Sequence, residues 1–189
     1  MGRPLTLSFD GDGQTPLDAE DLEGLIPTWV TTRADLNEVE QANIAAARDR
    51  WMRRRSPDML DDHELRRLHT DMFCDVWRWA GRQRTRETNI GVEPSRIAVD
   101  LRTLVGDTRF WLETDANSAV ARFHHRLVQI HVFPNGNGRH GRLAADLLAK
   151  TNGLPPPRWG SDRKAYLDPL RHADTTGDIT PLRQHMWST

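Results

Sequence analysis

Apolar residues recur every three or four positions along most of this chain, which is the spacing of a helix with one buried face. Capping residues such as Thr32 and Asp115 precede these stretches, and glycine or proline follows them. The pattern predicts a mainly all-α chain with a bundle of six or seven helices. The predicted helices lie near residues 33–55, 60–80, 97–113, 116–131, 137–150, 162–173 and 179–187.

Two segments depart from the helical pattern. Residues 1–30 are rich in glycine, proline and aspartate, which indicates an irregular N-terminal arm. Residues 82–97 combine polar residues with threonine and isoleucine and turn at Asn89 and Gly91, which predicts a small β-hairpin flap. The length of 189 residues suits one domain with a core. We therefore expect a single domain over residues 31–189.

The composition restricts the partners that such a chain can have. Its net charge of -1 gives no general attraction to nucleic acid or anionic lipid, so phosphate binding needs a local site. No apolar run reaches the ~18 residues of a membrane span, and we expect a cytoplasmic protein without membrane contact. Arg82, Arg84 and Arg86 are interpreted as a solvated face, with an arginine-rich nucleic-acid binder as the alternative.

Residues 131–142, which read HVFPNGNGRHGR, carry the strongest chemical signal. Gly136 and Gly138 let the backbone turn its N–H groups toward an anion, and the predicted helix start behind them adds further N–H groups. Arg139 and Arg142 are three residues apart, so both can reach phosphate oxygens from one helix face. The segment therefore predicts a polyphosphate site without the lysine of a P-loop.

Two further side chains of this segment suit a reaction at that phosphate. His131 has an imidazole that can accept a proton from a hydroxyl near neutral pH. The Asn135 amide oxygen can help to hold a hydrated Mg²⁺ against phosphates. Each feature alone has an ordinary structural explanation, as a helix cap, a turn or a solvated arginine pair. Their combination within twelve residues favours a functional site.

The order His131-x-Phe133-x-x-Gly136-Asn137-Gly138-Arg139-x-x-Arg142 resembles the signature of the Fic domain (Fic/DOC) family. The resemblance extends over roughly residues 30–185 and includes the flap. The segments from Thr31 to Ile44 and from Phe123 to Arg142 are similar to a narrower branch called mobile mystery protein B. The resemblance implies a Fic-like helical bundle with a small β-hairpin flap.

The resemblance also implies an activity, the transfer of AMP from ATP to a serine, threonine or tyrosine hydroxyl of a target protein. His131 would be the general base and Phe133 a structural residue. The phosphates would be held by Gly136, Asn137, Gly138, Arg139 and Arg142. The target segment would be aligned by the flap residues Thr88, Asn89, Ile90, Gly91 and Val92.

Two features depart from the usual family pattern. Fic enzymes usually carry an acidic Mg²⁺ ligand where this chain has Asn135, and a neutral amide binds Mg²⁺ less well. The alternative function is therefore a catalytically weakened Fic domain that binds a nucleotide or a partner protein. Many Fic proteins are inhibited by a helix whose glutamate pairs with the second arginine of the motif. The early helix over 33–55 carries Glu40, an inhibitory candidate that would pair with Arg142, although the residues around it match the usual inhibitory motif poorly. The alternative is that Glu38 and Glu40 are ordinary surface charges of this helix. The narrower branch suggests a mobile-element setting and a small helix-turn-helix or antitoxin-like companion.

Overall fold

A computed structural model of the chain describes residues 19–187, and side-chain positions from Glu20 onward. Within these residues the chain forms eight α-helices, which confirms the prediction of a mainly helical protein. The helices are α1 (Ala19–Glu23), α2 (Arg33–Arg53), α3 (Asp62–Phe73), α4 (Ile97–Leu112), α5 (Ala116–Ile130), α6 (Asn137–Thr151), α7 (Arg163–Thr176) and α8 (Thr180–Trp187). Seven of them, α2 to α8, begin within two residues of a predicted start. None of the described helices is both long and apolar enough to cross a membrane.

Helices α5 and α6 form the centre of the bundle and hold the candidate site between them. Helix α5 is capped at its N-terminus by Asp115, whose side chain accepts a hydrogen bond from the Ser118 N–H. It packs against α4, α6 and α8, while α6 also contacts α2 and α3. The two central helices approach closely at Gly141, where a Cβ atom would lie 2.9 Å from the Val128 side chain. The last turn of α5 and the first turn of α6 are consequently fixed relative to each other.

Helix α3 is shorter than the sequence pattern indicates. It ends at Phe73 with Cys74 as its C-terminal cap, whereas the prediction extended it to Ala80. The following turn is held by helix α2, because the Asn43 side chain accepts from the Asp75 N–H at 3.1 Å and donates to the Asp71 carbonyl at 3.3 Å. Contacts of this kind join residues about thirty positions apart, so apolar spacing within one segment does not reveal them.

The predicted hairpin over residues 82–97 is not confirmed. In the described chain this segment contains no strand and ends in a short 3₁₀ turn, Pro94–Arg96. It is an irregular loop that passes over the C-terminal end of α5, where the Val92 N–H donates to the Ile130 carbonyl at 3.4 Å. We keep the name flap for residues 88–92 of this loop.

The N-terminal arm predicted over residues 1–30 is only partly within the described residues, since residues 1–18 lie outside them. The part that is described includes helix α1, which contacts the loop that precedes the flap. Arg86 forms ion pairs with Glu20 and, at 2.9 Å, with Asp21. The Trp79 indole N–H donates to the Asp21 carbonyl at 3.0 Å. This end of the arm is therefore anchored beside the flap.

Candidate active site

The loop between α5 and α6 has an unusual backbone at each end. His131 caps α5 in the left-handed conformation, with φ of 56°, and is the single non-glycine residue with positive φ in the described chain. Gly136 precedes α6 with φ of 79°, and a Cβ atom there would lie 2.6 Å from the Phe73 ring. Glycine is required at position 136 for both reasons. The chain thus turns sharply between the end of one helix and the start of the next.

The Asn137 side chain closes this loop. Its Oδ1 atom accepts from the Phe133 N–H at 2.9 Å, and its Nδ2 atom donates to the Phe133 carbonyl at 2.8 Å. Asn137 is buried, and its amide is engaged on both sides. A contribution of Asn137 to phosphate binding would therefore come from its backbone N–H, because the first N–H groups of a helix have no partner within it.

His69 supports the loop from helix α3, a role that no local sequence pattern predicts. Its ring stacks on Phe133 with 3.7 Å between ring centroids. The Gly81 N–H donates to His69 Nδ1 at 3.0 Å, so the ring proton resides on Nε2, which donates to the Asn135 carbonyl at 3.0 Å. Burial and the nearby His140 hold the pKa of His69 well below its usual value. The ring is therefore a neutral, fixed support.

His131 presents a buried imidazole to the cavity described below. Burial, with a smaller effect of the Arg84 guanidinium, lowers the pKa of His131 to about 4, and a backbone hydrogen bond with Val128 acts in the opposite direction. The imidazole is consequently neutral near pH 7. A neutral imidazole keeps one nitrogen lone pair that can accept a proton.

The two arginines of the predicted phosphate site have different surroundings. Arg139 Nη1 lies 2.7 Å from Glu40 Oε2, and the other Glu40 oxygen accepts from the Trp77 indole N–H at 2.8 Å. The prediction that Glu40 pairs with Arg142 is thus wrong. Arg142 lies instead over the Tyr166 ring, 5.1 Å from its centroid. Glu40 is buried, and these two donors satisfy its carboxylate oxygens.

A cavity of about 450 Å³ lies in front of the α6 N-terminus. The loop and α6 provide one wall, α2 contributes Arg33, and the segment from Trp159 to Leu167 provides the opposite wall. The guanidinium groups that line the cavity are those of Arg33, Arg139, Arg142 and Arg163. Among residues 19–187, the one acidic lining residue is Asp162, whose side chain accepts from the Lys164 N–H as the cap of α7. Such a lining favours an anion, and the aromatic rings of Trp159 and Tyr166 offer apolar surface beside it.

The flap approaches His131 directly. Gly91 has φ of 124°, and a Cβ atom there would lie 2.7 Å from the His131 Cβ. Thr88 Oγ1 donates to the Ile90 carbonyl at 2.5 Å, which makes a tight turn before Gly91. Asn89 and Ile90 are exposed at the tip of this turn. The structure therefore brings the predicted flap and the predicted base side by side.

Asn135 is the candidate ligand for Mg²⁺, and its surroundings allow one coordinating oxygen. Its Oδ1 atom accepts from the Gly136 N–H at 2.6 Å and from Arg139 Nη2 at 3.4 Å. Across the described residues, no three histidine, cysteine, aspartate or glutamate side chains cluster in a way that could hold a metal ion. A single amide oxygen fits an Mg²⁺ ion whose other ligands are phosphate oxygens and water, which is how Mg²⁺ usually binds with nucleotides.

The family comparison agrees with this geometry. Residues 59–149, which include α3, α4, α5, the loop and all but the last two residues of α6, match the family model described as the Fic/DOC family. The chain belongs to this family. The narrower resemblance to mobile mystery protein B is not tested by the match and stays a prediction.

Relatives of this Fic protein include two that are named protein adenylyltransferases. The chain is 28% identical over 117 residues to Protein adenylyltransferase fic-1 of Caenorhabditis elegans, which covers 57% of this chain and 22% of that protein. It is 35% identical over 92 residues to Protein adenylyltransferase Fic of Drosophila virilis, which covers 44% of this chain and 18% of that protein. The chain thus matches about a fifth of the length of these relatives.

A solved structure shares the fold over most of the chain. The BepC protein, a VirB-translocated effector of Bartonella tribocorum with bound AMPPNP, has a TM-score of 0.72 and 15% identity. The similarity covers 89% of this chain and 96% of that one. The identity is low, so this likeness is evidence for the Fic fold alone.

Proposed function

We propose that this Fic protein is a protein adenylyltransferase that transfers AMP from ATP to a serine, threonine or tyrosine hydroxyl of a target protein. The observation that carries the proposal is the position of His131. Its neutral imidazole lines the arginine-rich cavity and adjoins the flap. A base located between a polyphosphate cavity and a peptide-sized loop has the placement that such a transfer requires. The names of the two adenylyltransferase relatives support the same reaction.

Different residues of the cavity would contact different parts of an ATP molecule. The α6 N-terminus with Gly136 and Gly138 would hold the α- and β-phosphates. Arg139 and Arg142 would bind the β- and γ-phosphates, since guanidinium groups form paired hydrogen bonds with phosphate oxygens. Trp159 and Tyr166 would contact the base and ribose. Mg²⁺ bound with the phosphates would reduce their negative charge, with the Asn135 amide oxygen as its protein ligand.

The reaction would be a single displacement at the α-phosphorus. The target hydroxyl oxygen forms a bond to the α-phosphorus while the bond from that phosphorus to the oxygen bridging the β-phosphate breaks. The hydroxyl proton passes to His131, and pyrophosphate leaves with the electron pair of the broken bond. Arg139 and Arg142 would stabilise the charge that develops on the leaving group. The flap from Thr88 to Val92, which contains no strand, would hold the target segment by main-chain hydrogen bonds.

Transfer of label from ATP tests this function. The chain is incubated with Mg²⁺ and ATP labelled on the α-phosphate or, separately, on the γ-phosphate, and His131→Ala is the matched variant. We expect covalent label from α-labelled ATP alone, and a decrease of about 10²- to 10⁴-fold in the variant because a general base contributes that much. The variant should retain the increase in melting temperature that ATP produces. Equal labelling of both chains, or label from the γ-phosphate, would contradict the proposal.

The second candidate is a weakened Fic domain that binds a nucleotide or a partner protein. It is favoured by Asn135 at the metal position and by the ion pair that engages Arg139 with Glu40. ATP would then raise the melting temperature without any His131-dependent label, in the parent and in a chain that lacks Glu40. The helix-turn-helix or antitoxin-like companion, the mobile-element setting and the cytoplasmic location stay predictions.

Glu40 is proposed as an inhibitory residue of this site. While its carboxylate holds Arg139, that guanidinium cannot turn fully toward a γ-phosphate, because its Nη1 atom already donates to Glu40. The pair is anchored by Trp77 and by the burial of Glu40 in helix α2. Removing the carboxylate would release Arg139 for nucleotide binding.

A further inference from the structure

Arg84 is a buried arginine, and each of its three guanidinium nitrogens donates to a backbone carbonyl. The prediction that Arg84 lies on a solvated face is wrong, since only 3% of the residue is exposed. Its Nε atom donates to the His131 carbonyl at 2.6 Å, and Nη1 donates to the Arg86 carbonyl at 2.8 Å. Its Nη2 atom donates to the Val92 carbonyl and, at 3.4 Å, to the Ile130 carbonyl.

These four carbonyls belong to two parts of the site. Ile130 and His131 form the C-terminal end of α5, where helix carbonyls lack partners within the helix and the helix dipole favours a cation. Arg86 lies before the flap, and Val92 is the last residue of the flap. One guanidinium therefore joins the two ends of the flap to the end of the helix that carries the base. Its planar fork of five N–H groups is suited to several acceptors at once.

The backbone of His131 needs this support. A left-handed conformation in a residue other than glycine persists only where neighbouring groups hold it. Arg84 holds the carbonyl of His131 through its side chain and the carbonyl of Val132 through its own N–H, at 3.0 Å. The guanidinium also occupies the space beside Gly91, where a Cβ atom would lie 2.6 Å from Arg84 Nη2.

We propose that Arg84 is a positioning residue of this site, which fixes the His131 backbone and the flap in one relative placement so that base and target hydroxyl meet. The inference rests on the proposed function and extends it. Arg84 is not a lining residue of the cavity, so its removal should affect the transfer and the target more than ATP binding. It does not touch the reacting atoms and acts only through the segments that it joins.

Chemical rescue provides the test. Arg84→Ala is compared with Arg84→Lys, which keeps the charge without the fork, and with Arg82→Ala, which removes an exposed arginine two residues away. Guanidinium chloride is added at low millimolar concentration, below any denaturing effect, with methylammonium chloride as the control. The readouts are the rate of label transfer, the ATP-induced change in melting temperature and hydrogen exchange at the Val92 amide.

We expect Arg84→Ala to reduce the transfer rate by about 100-fold, the loss that a small misplacement of a catalytic group produces. The ATP-induced change in melting temperature should stay as in the parent. Guanidinium should restore at least part of the rate and slow the Val92 exchange, and methylammonium should do neither. Arg84→Lys should show an intermediate loss of transfer rate. If Arg84→Ala does not fold, Arg84→Lys is used in its place. Arg82→Ala should match the parent.

Three results would overturn the inference. They are an unchanged rate in Arg84→Lys and Arg84→Ala, a loss of ATP binding that parallels the loss of rate, and an absence of rescue by guanidinium. If the parent protein transfers no label, the proposed function is wrong. Hydrogen exchange at the Val92 amide then tests the positioning role of Arg84 by itself. Faster Val92 exchange in Arg84→Ala that guanidinium reverses would then support the positioning role, and unchanged exchange would contradict it.

Discussion

The Asn135 side chain illustrates how the residue type at one position can change the affinity of the site for Mg²⁺. Its Oδ1 atom accepts from the Gly136 N–H at 2.6 Å, which is a bond that an aspartate oxygen in the same place would also make. The difference between the two residues is the charge available to a metal ion. Mg²⁺ prefers carboxylate oxygens, and an amide oxygen is a weaker ligand.

Asn135→Asp should therefore bind Mg²⁺ more tightly and support the transfer at a lower Mg²⁺ concentration. We expect the Mg²⁺ concentration for half-maximal rate to fall by roughly tenfold, which corresponds to about 1.4 kcal/mol. The measurement is a Mg²⁺ titration of label transfer at fixed ATP. Asn117→Asp is the matched control, because it makes the same chemical change at the start of α5, outside the cavity lining. A half-maximal concentration that is the same in both variants would contradict the assignment of Asn135.

The site residues that were predicted lie close together in the sequence, and those that were not predicted lie far from the loop. His131, Gly136, Arg139 and Arg142 lie within twelve consecutive residues, so their spacing alone placed them on a loop and the first turns of a helix. His69 and Arg84 act on the same loop from 66 and 47 residues away. Their roles depend on which segments pack together, and local spacing carries no information on that.

At the scale of elements, the helices were predictable because caps and apolar spacing are local. The predictions were wrong at the C-terminal end of α3 and at the flap. In both places, side chains from distant parts of the sequence bind the backbone. Asn43 engages the turn after Phe73, and Arg84 takes the Val92 and Arg86 carbonyls that a hairpin would pair between strands. Helix α2 was predicted with its Glu40, but the partner of Glu40 was not, since 99 residues separate it from Arg139.

The contact between helix α2 and helix α6 yields a prediction of its own. Glu40→Gly should raise automodification of the chain with ATP and Mg²⁺ by about tenfold, because removal of the carboxylate releases Arg139 for phosphate. The tenfold rise corresponds to about 1.4 kcal/mol, a typical value for a charged hydrogen bond. The measurement is covalent label on the chain itself. Glu38→Gly is the control, because Glu38 is exposed on the same helix and glycine costs a helix about 1 kcal/mol at either position. An equal rise in both variants, or no rise in Glu40→Gly, would remove Glu40 as an inhibitory residue.

At the scale of the whole molecule, buried neutral histidines surround the α5–α6 centre. His69, His124, His131 and His140 are all buried, and burial is the largest cause of the lowered pKa of each. They connect different helices, since His140 Nε2 lies 2.9 Å from the Leu65 carbonyl and His124 Nε2 lies 3.0 Å from the Tyr166 hydroxyl. The same rings that support the site thus make the fold sensitive to acid.

This arrangement fixes the direction of the pH dependence of stability. The pKa of His140 is lowered from 6.5 to about 4 in the folded chain, so between these values the unfolded chain binds more protons than the folded one. The free energy of unfolding is therefore highest above about pH 6.5 and decreases as the pH falls toward 4. Each such histidine can contribute a slope of up to about 1.4 kcal/mol per pH unit.

Urea unfolding at several pH values between 7 and 4 measures this slope. His140→Gln should flatten it by up to about 1.4 kcal/mol per pH unit, because glutamine can still donate to the Leu65 carbonyl but cannot bind a proton. His63→Gln should leave the slope as in the parent, because His63 is exposed. An identical slope in the parent and in His140→Gln would mean that His140 does not remain neutral in the folded chain, and the link between the buried rings and acid sensitivity would be lost.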